Sequence, residues 1–248
     1  MNDSAEPTRV VAKTIADQTY QQLRRDILSG ALPPGSKLAM ELLTKRYKVG
    51  LSPLREALVK LTGDALAVAE GQRGFWVSQI SPEELQDTMS TRVLIETQAL
   101  SLAIEKGGPE WERAVKQALQ ELCALEDRLE PGDAEAMARW QGANRRFHEA
   151  LISACGSKWL IRLRGMLHCH CDRYRMISMQ ETGIEREEQQ AIVEAALARK
   201  TQRACRLMEL HLQRVAEGIR VALENRDPAS MSKSKGRGNG ARGANKRS

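Results

Sequence analysis

The chain has 248 residues, 42% of them hydrophobic and only 4% aromatic, with a formal net charge of +6. That apolar share suffices for one large or two small cored domains and excludes wholesale disorder, while no apolar run approaches the roughly 18 residues of a membrane-spanning helix. Five cysteines without framework spacing, and an N-terminus (MNDSAEPTRVVAKT) with no apolar stretch, favour a reducing, cytoplasmic location over a secreted disulfide scaffold.

The charge is unevenly placed. Residues 13–80 carry ten bases against six acids, residues 81–227 carry 21 against 24, and residues 228–248 hold six bases and no acid. A basic N-terminal third, a mildly acidic body and a basic tail (Lys233, Lys235, Arg237, Arg242, Lys246, Arg247) point to a nucleic-acid contact at the ends of the chain. The Gly-rich tail, 227–248, and the first 13 residues read as disordered. On charge alone, a merely solvated extension accounts for the tail equally well.

Few aromatics and few glycines or prolines predict a mostly helical chain. A first helix is expected over 14–29, with Thr14 as N-cap, Asp17 in the first turn, and Tyr20, Leu23, Ile27 and Leu28 at helical spacing. After the stiff turn Leu32-Pro33-Pro34-Gly35, a short helix fits Met40–Tyr47, with Leu42 and Leu43 inward and Lys45, Arg46 and Lys48 outward. A third helix is expected to start with Ser52 as N-cap and Pro53 in the first helical position. Its inner face is Leu54, Ala57, Leu58 and Leu61, which leaves Arg55, Val59 and Thr62 outside. Leu66-Ala67-Val68 and Phe75-Trp76-Val77 then alternate as a strand pair around the loop Glu70-Gly71-Gln72-Arg73-Gly74. Helices followed by a ribbon in this order make a winged helix-turn-helix, residues 14–79. Its third helix suits a major groove roughly 12 Å wide, and its ribbon tip suits phosphates or the minor groove.

From residue 80 the pattern is helical throughout. Ser81-Pro82-Glu83-Glu84 is a capping box opening a helix to Gly107. Further helices are expected over Pro109 to about Leu129, Asp133–Cys155, Ser157–Met179, Gly183–Arg199 and Thr201–Glu224. Residues 80–226 therefore form an antiparallel bundle of six to seven helices.

Chemistry in the bundle centres on histidines. His148 follows Asn144 by one helical turn, and His211 lies on the inward stripe between Leu207 and Val215, an arrangement that suits a metal or anion pocket. Two satisfied core histidines are the simpler account of the spacing. His168-Cys169-His170-Cys171 cannot converge on one ion, because residues two apart on a helix point about 200° apart. Only His168 and Cys171 share a face, and Cys171 reads as core filler. Nucleophile-elbow, P-loop, zincin and dinucleotide motifs are all missing from the chain. No reading favours an enzyme.

P-G-x-x-L at Pro34–Leu38, P-L-R-E-A-L at Pro53–Leu58, R-G-F-x-V at Arg73–Val77, and F-H followed by C-G-S within Phe147–Ser157 resemble GntR-family transcriptional regulators. The likeness is to the FadR-like branch, whose helical effector domain is called FCD, and it covers residues 14–224. Within the branch the chain is most similar to carbon-starvation-induced, glutarate-responsive repressors. The resemblance carries DNA contacts onto Ser52 and Arg55, and the outward Lys45 and Arg46 with the ribbon loop Gly71, Gln72, Arg73 and Gly74 complete the expected DNA-binding set. Gly50 and Leu51 stand where the family has a Ser-Arg pair, and Met40 and Glu41 where it has Glu-Arg, so operator sequence does not carry over. The family's metal ligands, one Asp and three His, fall on Asn144, His148, Gln189 and His211. Two are altered to neutral amides, which implies at most a weakly bound divalent metal (zinc or nickel) on His148 and His211 with Asn144 as a third donor. The effector pocket is expected to comprise Arg92, Asn144, His148, Arg173, Gln189 and His211, with Arg92, Arg173 and Arg175 offering forks to a carboxylate; surface salt bridging is the competing role for these arginines.

The sequence thus reads as a homodimeric, ligand-responsive DNA-binding regulator. Its expected partners are a double-stranded DNA operator and a small carboxylate, and no membrane. The expected activity is repression of a catabolic operon. The competing reading is a helical small-molecule- or metal-binding protein, an enzyme among them, with a vestigial winged domain; Arg55, Arg73 and the basic balance of residues 13–80 argue against it. Deleting residues 229–248 removes six cations. The slope of log K against log salt for DNA binding, followed by fluorescence anisotropy, is therefore expected to become shallower. An unchanged slope leaves the tail merely solvated.

Overall fold

The structure, a computed structural model, describes residues 14–130, 133–178 and 186–225, with side chains at 134 and 175–178 left out. The N-terminal 1–13, the tail 227–248 and the Arg175 side chain all lie outside the described residues. The chain is mostly α-helical, as expected. Its elements are α1 (Ile15–Leu28), α2 (Met40–Tyr47), α3 (Leu51–Gly63), β1 (Ala67–Ala69), β2 (Phe75–Val77), α4 (Pro82–Lys106), α5 (Pro109–Glu126), α6 (Ala134–Ile152), α7 (Lys158–Ser178), α8 (Arg186–Leu197) and α9 (Thr201–Glu224). No described helix is long and apolar enough to cross a membrane.

The first three helices and the ribbon enclose their own core of Leu23, Ile27, Leu38, Leu43, Leu54, Leu58, Leu61, Leu66 and Val77. Burying each such side chain contributes roughly 1.5–3 kcal/mol. Thr14 and Asp17 form a reciprocal capping box at the start of α1. Acids on α1 then tie the trihelical unit together: Asp17 takes Lys60 of α3 at 2.8 Å, and Asp26 takes the Tyr47 hydroxyl of α2 at 2.5 Å.

Four local expectations need correcting. Leu42 is 69% exposed while Leu43 is buried, since the short α2 has only a narrow stripe facing the core. Gly50, not Ser52, is the N-cap of α3, without a side-chain cap. Pro53 still lies in the first turn, where a missing N–H costs no helix bond. At the start of α4, Ser81 caps the Glu84 amide, but the Glu84 carboxylate accepts from Tyr174 Oη at 3.0 Å instead of closing a capping box. Helix α5 ends at Glu126, three residues early, where Asp127 caps it.

The wing carries an edge the sequence did not announce. β1 and β2 are antiparallel, with Val68 opposite Trp76. The segment after the Pro33-Pro34 turn adds a third edge, with Leu38 N–H donating to Phe75 O (2.8 Å) and Val77 N–H to Ser36 O (2.9 Å). The connection between β1 and β2 is a 3-10 turn, Gly71–Arg73, closed by Gly74 at φ 106° and ψ −146°. Only glycine occupies that region without strain.

Helices α4 to α9 form the bundle around a second core, including Leu85, Leu100, Trp111, Val115, Leu122, Phe147, Leu151, Tyr174, Ile192, Met208, Leu212 and Ile219. The central member, α4, packs against both α7 and α9, while α5 pairs with α6 and α8 with α9. Arg199, in the tight turn before α9, donates to the carbonyls of Ile104 and Gly107 at 2.5 and 2.8 Å and fastens that turn to the end of α4.

Candidate nucleic-acid interface and buried ionic pocket

On the trihelical unit, Lys45, Arg46, Ser52, Arg55, Gly71, Gln72 and Arg73 are all exposed, and Gly74 is half-buried. They are not equivalent. Arg46 is paired with Asp26 at 2.6 Å and lies over the Tyr47 ring, so part of its charge serves its own domain. Lys45, Arg55 and Arg73 have no ion-pair partner among the described residues. Lys37, on the wing's third edge, lies over the Trp76 ring at 5.3 Å. Exposed cations near the start of α3 and on the wing tip can neutralise phosphates, and an arginine on the outer face of α3 can fork onto a guanine edge.

Inside the bundle, four charged or imidazole side chains are completely buried: Arg92 and Glu96 on α4, His148 on α6 and Arg164 on α7. They converge on one carboxylate. Glu96 Oε1 accepts from Arg92 Nε at 2.5 Å and lies 3.5 Å from Arg164 Nε, while Oε2 is 2.9 Å from His148 Nδ1. Burial opposes ionisation of Glu96, but the Arg92 charge, His148 and the Arg164 charge together hold its carboxyl well below the usual carboxylate range. For His148, burial is the largest effect and lowers the imidazole to about 3 against the pull of Glu96, with Arg92 and Arg164 helping. The ring is therefore neutral at pH 7. Its Nδ1–H donates to Glu96, and its Nε2 lone pair is left without a hydrogen-bond partner.

The same is true of the two terminal nitrogens of Arg92 and of both amide atoms of Asn144 and Gln189. Asn144 and Gln189 are buried as well. His148 stacks on His211 with centroids 5.6 Å apart, and His211 Nδ1 is 3.1 Å from Glu188 of α8, the neighbour of Gln189. A free guanidinium end and an imidazole acceptor on one carboxylate, with the unsatisfied Asn144 amide one helical turn from His148, have the chemistry to take an anion with polar substituents, because buried polar groups strongly favour having partners. The region fits a divalent metal poorly. The donors here are two imidazoles and two neutral amides beside two guanidinium charges, and no three His, Cys, Asp or Glu among the described residues are grouped to hold an ion.

The structure brings Arg92, His148 and His211 together with the helix turn that bears Asn144, but it places Arg173 elsewhere. The Arg173 guanidinium donates to the carbonyls of Ser78 and Gln79, in the linker between β2 and α4. Its helix-face position next to Asp172 turns it away from the pocket. His168 belongs to the pocket's edge, where its Nδ1 accepts from Arg164 Nη2 at 3.0 Å and its Nε2 faces Asp172 at 3.4 Å. Glu96 and Arg164 are absent from the sequence-derived site, although a signal for them exists. Arg92 and Glu96 fall on the core stripe with Leu85, Met89, Leu100 and Ala103, and Arg164 falls on the stripe with Leu160 and Cys171. Charges at core positions of an amphipathic helix call for a partner.

Both parts of the chain match known families. Residues 15–77 match the family of bacterial regulatory proteins named gntR, and residues 87–214 match the FCD domain. The chain is 37% identical to the HTH-type transcriptional repressor GlaR of Escherichia coli, over 78% of this chain and 90% of that protein. It is 36% identical to the HTH-type transcriptional regulator BphR of Paraburkholderia xenovorans, over 81% of this chain and 83% of that one. The solved structure of Escherichia coli McbR/YncC shares the fold with a TM-score of 0.67 at 20% identity, covering 85% of this chain and 98% of that one. A GntR-type structure from Rhodococcus gives the same TM-score of 0.67 at 20% identity, covering 86% and 99%.

The donor set makes a metal prediction. Gln189→His adds a third imidazole and is expected to tighten zinc binding, measured by calorimetry, relative to a parent that purifies with substoichiometric metal by elemental analysis. Full-stoichiometry zinc or nickel in the parent would show that the amides ligate; an unchanged affinity in the variant would show that residue 189 does not face the pocket.

Proposed function

This chain belongs to the GntR family of bacterial regulatory proteins, carries an FCD domain, and is a ligand-responsive DNA-binding transcriptional regulator rather than an enzyme; from that premise we propose that it is a homodimeric repressor of a catabolic operon, released from its operator by a small carboxylate. On this reading residues 14–79 bind DNA through Lys45, Ser52, Arg55 and the wing residues Gly71, Gln72, Arg73 and Gly74, with Arg46 as a weaker contributor. Residues 80–226 bind the effector and dimerise. Two copies are needed because one recognition helix reads one half-site, and a pseudo-palindromic operator presents two.

The observation that carries the effector reading is the fully buried Arg92, whose two terminal nitrogens have no hydrogen-bond partner. Paired N–H groups of a guanidinium match the two oxygens of a carboxylate. Asn144, His148 and Gln189 supply the surrounding donors and acceptors. Arg164 pairs with Glu149 at 3.4 Å as well as with Glu96, so the unpartnered positive end left for an anion is the Arg92 fork. A divalent cation at His148 and His211 meets neutral amides and the nearby Arg92 guanidinium, so on this reading metal binding is weak and the carboxylate is the ligand.

Two measurements test this. Arg55→Ala is expected to weaken binding to a duplex selected from random-sequence pools by roughly 1–3 kcal/mol and to relax base preference at one position, without loss of helicity. Equal affinity in parent and variant would mean that α3 presents a different face. For the pocket, glutarate and succinate are the probes, with glutaramide as the uncharged control. A dicarboxylate is expected to release the duplex and raise the melting temperature while glutaramide does neither. Arg92→Lys keeps the charge but loses the fork, and is expected to need roughly 10- to 100-fold more carboxylate. Release by all three probes alike, or an unaltered dose-response in Arg92→Lys, defeats the pocket assignment.

A further inference from the structure

Helix α7 has two sets of partners. Toward the pocket it presents Arg164, His168 and Asp172, one helical turn apart, bound to Glu96, to one another and, through Asp172, to Arg145 of α6 at 2.9 Å. About 100° around the helix it presents Cys169 and Arg173, again one turn apart. Cys169 accepts from Arg24 of α1. Arg173, 3% exposed, donates to the carbonyls of Ser78 and Gln79. Next to it, Tyr174 Oη accepts from the Ser81 amide at 3.3 Å and donates to Glu84 at 3.0 Å. The C-terminal half of α7 thus grips the whole linker, 78–81, and the first helix of the DNA-binding unit.

The linker is held from its other side by the wing domain itself. Ser78 N–H donates to Leu66 O at 3.1 Å, and Ser78 Oγ donates to Ala65 O at 2.7 Å. Its first residue therefore moves with the wing, while its carbonyls are fixed by a guanidinium rooted in the effector domain. A charged donor serving two successive carbonyls, the Ser78 one buried, is worth more than a neutral contact. It is also directional, since losing it frees two peptide planes at the junction between the two cores.

We propose that Arg173 is the positioning residue that sets the orientation of the DNA-binding unit on the bundle, and that α7 carries pocket state to it as one rigid element. A shift of Arg164 relative to Glu96 moves the helix on which Arg173 sits, and Arg173 moves the linker. The biological meaning rests on the effector reading above, but the mechanical claim does not. It needs only the pocket, the helix and the linker.

The test is a double-mutant cycle read by hydrogen exchange on the full-length protein, with neither DNA nor ligand present. Its failure is therefore distinct from failure of the carboxylate assignment. Arg164→Lys perturbs the pocket face of α7 and keeps the charge. It is expected to accelerate exchange in peptides spanning 66–80 by about 2- to 30-fold, though it touches none of them. In an Arg173→Ala background those peptides already exchange faster, and adding Arg164→Lys is expected to change them no further. Arg173→Lys reaches one carbonyl and is expected to restore part of the coupling. Should Arg164→Lys lose its helical circular dichroism, His168→Gln replaces it with the same expectations. Equal effects of the pocket variant in both Arg173 backgrounds, or faster exchange confined to α7 itself, overturn the proposal.

Discussion

The interior of the helical domain depends on one buried carboxylate. Glu96 binds Arg92, Arg164 and His148, groups from three helices, with no exposure to solvent. Each buried ion costs several kcal/mol in lost hydration, so such a cluster stands only if its members satisfy one another. Glu96 satisfies the Arg92 Nε and the His148 Nδ1 and lies in ion-pair range of Arg164, and so fixes the tautomer of His148 and the direction in which the Arg92 fork points. That direction matters for function. A carboxylate arriving at the fork meets a guanidinium already desolvated and already oriented, and the ordering cost of binding falls accordingly.

The DNA-binding unit is organised by acids in a different way. Asp17 and Asp26 on α1 pair with Lys60 and Arg46, exposed contacts that contribute little to stability but decide which cations remain for a ligand. Of the ten bases in residues 13–80, Arg46 and Lys60 are thereby committed within the unit, while Lys45, Arg55 and Arg73 have no ion-pair partner among the described residues. A flat count of charge along the chain overstates the electropositive surface. Lys45, Arg55 and Arg73 stand at the end of α2, on α3 and at the wing tip.

Most of the architecture was legible because it is local. The Thr14 cap, the short α2, the Leu54–Leu61 stripe of α3, the glycine-flanked wing and the limits of α9 are all written in neighbouring residues, and the structure has them where periodicity and capping chemistry put them. What failed needed partners from elsewhere. Leu42 looked inward because a helix of eight residues gives no second turn to tell the two leucines apart. Ser52 looked like a cap because cap residues are recognised by type, while the backbone turned earlier, at Gly50. The third edge of the wing could not be seen, since Ser36 and Leu38 pair with β2 across forty residues of chain. Helical spacing pointed His148, His211 and Asn144 inward, and all three are buried, as is Gln189, which came from the resemblance. Glu96 and Arg164 were not legible, because an i,i+4 Arg-Glu pair is read by default as an exposed salt bridge. Arg173 was assigned to the wrong partner for the same reason: its residue type announces an anion, and what it meets is a pair of backbone carbonyls.

The two altered ligand positions change the character of the pocket as well as its affinity for metal. A divalent ion brings its own charge and fixed coordination directions, and its occupancy depends on supply and on competing chelators. A guanidinium is covalently part of the chain, always charged, and directional through its N–H groups. On the proposed reading, with Asn144 and Gln189 in place of charged or imidazole donors, recognition passes to Arg92 and to hydrogen bonds whose strength depends on water being excluded. Buried amides left unpaired are costly, so ligands that carry a polar group to meet them are favoured over ligands that do not. On the proposed effector reading, discrimination among small carboxylates comes from those amides, while the charge of Arg92 supplies attraction common to all of them.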